Sequence, residues 1–152
     1  MAWTRAGRRW AWALALVLAA VALAVPLTVA RRQEPPPRGA PVNVLLHDFK
    51  VQEDVAVVPA GLVTLRIRNQ GPTRHELVVI RTDRAPDNLP LQQDGLTVDE
   101  EEDGIKLVEE VNGMDIDEHQ TVDLRLAPGN YVMYCNFEGH YLGGMHASLA
   151  VR

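Results

Sequence analysis

The chain has 152 residues, 47% of them hydrophobic, with 20 acidic against 15 basic side chains. That length gives one domain and a smaller segment; the hydrophobic share excludes a wholly disordered chain, and a net charge of −5 argues against a nucleic-acid partner, which calls for a basic patch or stripe. The single cysteine, Cys135, excludes an intramolecular disulfide, a four-cysteine zinc site and a four-thiolate iron–sulfur centre.

Residues 1–30 carry Arg5, Arg8 and Arg9, no acid, and all three tryptophans. From Trp10 to Ala30 run 21 residues of which only Thr28 is polar. The segment therefore reads as an N-terminal hydrophobic helix, either a signal peptide or a membrane anchor. About 20 apolar residues span a bilayer, so length favours the anchor. Thr28-Val29-Ala30 is a passable cleavage site, which favours the signal. Arg8-Arg9 also fits a twin-arginine signal, though paired arginines are common in such leaders. Each reading places the rest of the chain outside the cytoplasm, periplasmic or at the cell surface. An uncleaved helix would make the membrane a partner. Residues 31–41, RRQEPPPRGAP, form a stiff, proline-rich linker. The folded domain is expected over 42–152.

The domain reads as strands in chain order. Val42 to Val58 is rich in valine and leucine and breaks near Gln52-Glu53-Asp54, giving two short strands. Leu62 to Asn69 alternates apolar and charged residues from Leu65, as a half-buried strand does. Asn69-Gln70-Gly71-Pro72 is a turn, and His75 to Ile80 is the next strand. Thr121–Leu126, Tyr131–Tyr134 and Ala147–Val151 complete the set, with a turn at Ala127-Pro128-Gly129-Asn130. Short strands with Gly/Pro turns predict an all-β antiparallel sandwich or barrel.

Asp83 to Glu118 interrupts the pattern. Residues 94–118 hold eleven acids and one base, Lys106. The stretch is expected to be a solvated acidic excursion with one short helix. It lacks the D-x-[DN]-x-[DN]-G frame of a calcium loop.

The chemistry concentrates in Tyr134–Met145, Y-C-N-F-E-G-H-Y-L-G-G-M. Cys135, His140 and Met145 stand five and five apart, with glycines at 139, 143 and 144 to bend the backbone between them. A trigonal copper site needs a thiolate, two imidazoles and a weak axial thioether, and this loop supplies all but one imidazole. His75, just after a turn and opening a strand, is the best candidate for the second; His47 is the alternative. His146 should point away from Met145 along its strand, and His119 should be solvated within the acidic excursion.

With these residues in place, the chain resembles the cupredoxins, the type 1 blue copper proteins. Gly61 to His75, with its G-x-V-x-L-x-I-x-N-x-G-x-x-x-H pattern, looks like their first-histidine segment, and A-P-G-N-Y-V-M-Y-C-N-F-E-G-H-Y-L-G-G-M looks like their Cys-His-Met loop. The five-and-five spacing is similar to that of auracyanin, rusticyanin and sulfocyanin. The resemblance implies a Greek-key β-sandwich. It also implies one copper bound by His75, Cys135, His140 and Met145, and one-electron transfer with redox protein partners. One departure stands out: where several blue copper proteins have an asparagine that links the first histidine to the cysteine loop, this chain has Glu76.

The expected function is an extracytoplasmic electron carrier and not an enzyme. The alternative is a copper-binding module for storage or delivery. Copper oxidases and nitrite reductases resemble larger chains with H-x-H pairs, and none occurs here; a dinuclear copper domain would need a second cysteine in the loop. An apolar docking patch is expected at Tyr141, Leu142, Gly143 and Gly144 beside the His140 edge, with the acids of 94–118 at its rim.

Overall fold

The structure is a computed structural model that describes residues 39–152. The expected leader helix over 1–30 and most of the linker lie outside the described residues.

Among the described residues nine strands form: β1 Ala40–His47, β2 Lys50–Glu53, β3 Val57–Val58, β4 Gly61–Asn69, β5 His75–Arg81, β6 Lys106–Met114, β7 His119–Leu126, β8 Gly129–Tyr134 and β9 His146–Val151. They make two sheets, β2-β1-β4-β7 and β3-β9-β8-β5-β6. The inward residues of both sheets share one core. Val42, Val44, Leu46, Val63, Leu65 and Ile67 come from the first sheet; Leu77, Val79, Met133, Leu149 and Val151 come from the second. Along β4 the alternation is as expected, with Val63, Leu65 and Ile67 buried and Arg66 exposed.

Three expectations are corrected. The first segment breaks at Asp48-Phe49 as well as after Glu53, so it yields three strands and not two. The pairing is mixed, because β1 runs parallel to β4 and β3 parallel to β9. The reason is a crossover: after β2 the chain passes to the other sheet as β3 and returns as β4 beside β1, in the same direction. Finally, the acidic stretch contains a nine-residue strand, β6, paired antiparallel with β5, and the described residues contain no helix.

The rest of the excursion covers the outer face of the second sheet. Val78, Ile80, Val132 and Tyr134 pack there against Leu89, Val98 and Tyr141 in a second buried cluster. Burying a side chain of this size contributes about 1.5–3 kcal/mol. This explains why β5 is buried on both faces from His75 to Ile80 and why Leu77–Ile80 reads as a continuous apolar run.

Candidate metal centre

β8 ends by delivering Cys135, fully buried, into the loop. The loop folds back through a chain of backbone hydrogen bonds: His140 N–H to Phe137 C=O, Gly143 N–H to Gly139 C=O and Gly144 N–H to Tyr141 C=O, each 2.9 Å. Gly139 (φ 78°) and Gly144 (φ 103°) take left-handed conformations that non-glycine residues resist, one on each side of His140. Met145 N–H then donates to His140 C=O, and Cys135 N–H to Met145 C=O, both at 3.1 Å. The two ends of the loop are therefore clamped together, and the five-and-five spacing becomes one cluster.

His75 enters from β5. The turn before it is organised by Asn69, whose Nδ2 donates to the carbonyls of Thr73 (2.8 Å) and Met114 (3.0 Å) and whose Oδ1 accepts from Gly71 N–H (2.9 Å). His75 Nδ1 lies 3.3 Å from His140 Nδ1, and Cys135 Sγ lies 3.4 Å from the same nitrogen. The three donor atoms all fall within 4.8 Å of one another. Met145 is completely buried in the same core cluster as Cys135 and is tied through its backbone to both loop ligands. His47 ends β1, paired with Lys50, and is not part of the cluster. His146 packs its ring 5.4 Å from Tyr141, on the outer side, and His119 is exposed at the start of β7.

The site's electrostatics suit a cation. Burial pushes the His75 imidazole below its ordinary range, opposed by its bond to Asp48. Burial likewise pushes the Cys135 thiol up. Both shifts favour neutral groups in the metal-free protein, so a metal would take the place of the thiol proton. Asp48 Oδ1 lies 2.9 Å from His75 Nε2, which leaves Nδ1 as the nitrogen facing the cluster. Two imidazole nitrogens, a sulfur and a buried thioether form the donor set of a type 1 copper site.

The Glu76 departure does not break the link to the cysteine loop. Glu76 is buried, and its Oε1 accepts the Asn136 backbone N–H at 3.0 Å. A second acid continues the network: Glu100 Oε1 accepts from Asn136 Nδ2 (2.8 Å) and from Tyr134 Oη (3.0 Å). One part of the acidic excursion is thus pinned beside the cysteine, where only a free rim was expected.

The docking patch is corrected in one respect. Tyr141 is buried, its hydroxyl accepting the Leu89 N–H at 2.7 Å. The exposed apolar groups beside His140 are Leu142 (52% exposed) and Phe49 (53%), whose ring stands edge-on to His140 with centroids 5.7 Å apart. Phe49 has φ 60°, a conformation costing about 1–3 kcal/mol for a non-glycine residue. Sequence reasoning passed over Asp48, Phe49 and Asn69 as functional residues and took Glu100 only as one of the rim acids. The only signal for the first two was a break in a hydrophobic segment, and phenylalanine is not a residue that announces a left-handed turn.

The fold and the donor set together define a cupredoxin. The sulfocyanin (SoxE) domain model matches residues 51–152, and the chain belongs to that family. Among solved structures it is similar to reduced auracyanin from Roseiflexus castenholzii (TM-score 0.55, 19% identity, covering 76% of this chain and 99% of that one). It is similar to auracyanin B as well (0.55, 23%, 78% and 93%). Rusticyanin from Thiobacillus ferrooxidans gives a further match (0.53, 15%, 75% and 79%). At these identities the likeness speaks for the fold. No curated protein sequence matches the chain.

Proposed function

We propose that the chain is a one-electron carrier outside the cytoplasm, with His75, Cys135, His140 and Met145 binding a single type 1 copper. The observation that carries this reading is the prior assembly of the donors: three ligand atoms within 4.8 Å of one another, those of Cys135 and His140 on a loop closed by its own backbone hydrogen bonds and that of His75 at the start of β5. Copper, when bound, supplies the Cu(II)/Cu(I) couple. The protein's part is to hold the donors so that little moves between the two states. His75 is held from behind by Asp48, His140 by the turns at Gly139 and Gly144, and Cys135 by Met145 C=O and by Glu76 through Asn136. The half-buried His140 ring, flanked by exposed Phe49 and Leu142, offers an apolar face at which a redox protein can approach the imidazole edge. The leader at 1–30 would either anchor this carrier to the membrane or release it.

The test is to add copper to the purified protein and follow its optical and EPR spectra through repeated reduction and oxidation. An intense visible band that cycles reversibly, with copper retained against a chelator, is the expected result. A colourless oxidised form would reject the type 1 site. Ready surrender of copper to a chelator or apo-acceptor would favour delivery over electron transfer.

Met145 offers a finer check. As the thioether of the donor set it would tune the potential of a bound copper and would not hold the metal alone. Met145→Leu keeps the volume and apolarity of this fully buried position. The variant should retain copper and colour but show a higher midpoint potential by voltammetry, because the lost thioether is replaced by an apolar group that disfavours the higher charge. A tenfold change in the relative affinities of the two oxidation states corresponds to about 59 mV, and a shift on that order is expected.

A further inference from the structure

The β1–β2 turn consists of two residues, Asp48 and Phe49, between the paired His47 and Lys50. Both reach the metal cluster, Phe49 against the His140 ring and Asp48 against His75. The Asp48 contact is built from several sides. His75 is fully buried and Asp48 is partly shielded, with Oδ1 2.9 Å from His75 Nε2. The same oxygen accepts the Thr73 hydroxyl at 2.8 Å. Gly71 leaves the space: a Cβ there would come within 2.6 Å of His75 Nε2 and 2.9 Å of Asp48 Oδ1. An ionised carboxylate only accepts hydrogen bonds, so the His75 proton is fixed on Nε2 and the Nδ1 lone pair faces Cys135 and His140.

We propose that Asp48 is a positioning residue of the copper centre. It fixes the tautomer and ring orientation of His75, and its negative charge favours Cu(II) over Cu(I) and so holds the reduction potential down. The proposal rests on the copper reading above. The turn is a working part of the site: Phe49, in its left-handed conformation, sets its ring against His140 while Asp48 reaches His75.

The test uses the full chain, metal-free and copper-loaded, with Asp48→Asn and Asp48→Ala. Asparagine keeps an acceptor oxygen and removes the charge. Partners behind a ligating histidine typically change metal affinity by about 10–100-fold. Asp48→Asn should lose Cu(II) affinity in that range and Cu(I) affinity by less, so its midpoint potential should rise, by about 59 mV for each tenfold change in the ratio. Its EPR should remain that of a type 1 site. In metal-free Asp48→Ala, nitrogen-15 NMR should show His75 shifting from the Nε2–H tautomer to a mixture, a change that a merely structural loss elsewhere would not produce. An unchanged potential in Asp48→Asn with the type 1 spectrum intact would overturn the charge effect. An unchanged His75 tautomer in Asp48→Ala would overturn the positioning role. If the wild-type chain itself shows no type 1 spectrum, the copper reading falls and this proposal with it, a result separate from the other two.

Discussion

Cys135→Ser should give a protein that folds, binds copper weakly and shows no intense visible band. The band would arise from charge transfer between the Cys135 thiolate and Cu(II), and a serine hydroxyl cannot supply a soft, easily ionised sulfur. The affinity loss should exceed the about 10–100-fold typical of residues that only support a ligand. Cys135 is fully buried in the main core, and serine fits the same space, so no cavity opens. Its hydroxyl does lose hydration there, at about 1–3 kcal/mol in the metal-free protein if no new bond forms. The decisive measurement is a pair of melting curves, with and without copper, beside the spectrum. Copper at 100 times its dissociation constant stabilises a native state that alone binds it by about 2.7 kcal/mol. The wild type should show this gain and Cys135→Ser should lose it. A variant that melts later with copper and keeps the visible band would remove Cys135 from the ligand set.

The cluster was legible because three of its four members sit within eleven residues, Cys135 to Met145, and the loop glycines leave few ways to fold them. His75 was legible from its register, following the Asn69–Pro72 turn and opening an apolar run. What sequence hid has physical causes. β6 is the outermost strand of its sheet, and its charges, Lys106, Glu109 and Glu110, are of the kind that blunt an exposed edge. In composition that reads as a solvated loop. The two parallel pairings are set by where β3 crosses between sheets, and no local pattern records a crossover. Asp48 is one carboxylate among 20, and its role depends on a hairpin tip meeting a strand start 27 positions later. Glu76 looked like a lost link because a carboxylate cannot donate as asparagine does; the structure uses it only as an acceptor for the Asn136 N–H, which a carboxylate does well.

Asn69→Ala should be the most damaging substitution away from the ligands. Asn69 is fully buried at the end of β4, and its side chain satisfies three backbone groups: the carbonyls of Thr73 and Met114 and the N–H of Gly71. Its own backbone joins neighbouring elements, donating to Glu118 C=O and accepting from Asp117 N–H, each at 3.0 Å. Alanine leaves that backbone ladder in place but orphans all three side-chain partners. Each buried group left unpaired costs about 1–3 kcal/mol, and the Thr73 carbonyl, being only part-buried, lies at the low end because water can reach it. A total of about 3 kcal/mol is expected, a large fraction of the 5–15 kcal/mol typical of a domain. At roughly 4–8 °C per kcal/mol this lowers the melting temperature by about 12–24 °C, measurable by calorimetry on the metal-free protein. The damage should extend to the metal centre. The turn that Asn69 holds carries Thr73 and Gly71, the two residues that confine Asp48 against His75. Freed from Asn69, that turn lets the His75 ring rotate, so copper bound by the variant should show a broadened EPR signal and a weaker affinity even where the protein remains folded. Asn69→Asp separates the two roles of the side chain: it keeps the acceptor for Gly71 N–H and places a charge against two carbonyls, so it should be no better than alanine. A loss below about 1 kcal/mol in Asn69→Ala, with the copper signal unchanged, would mean that the turn is held by its backbone alone and that His75 is oriented without it.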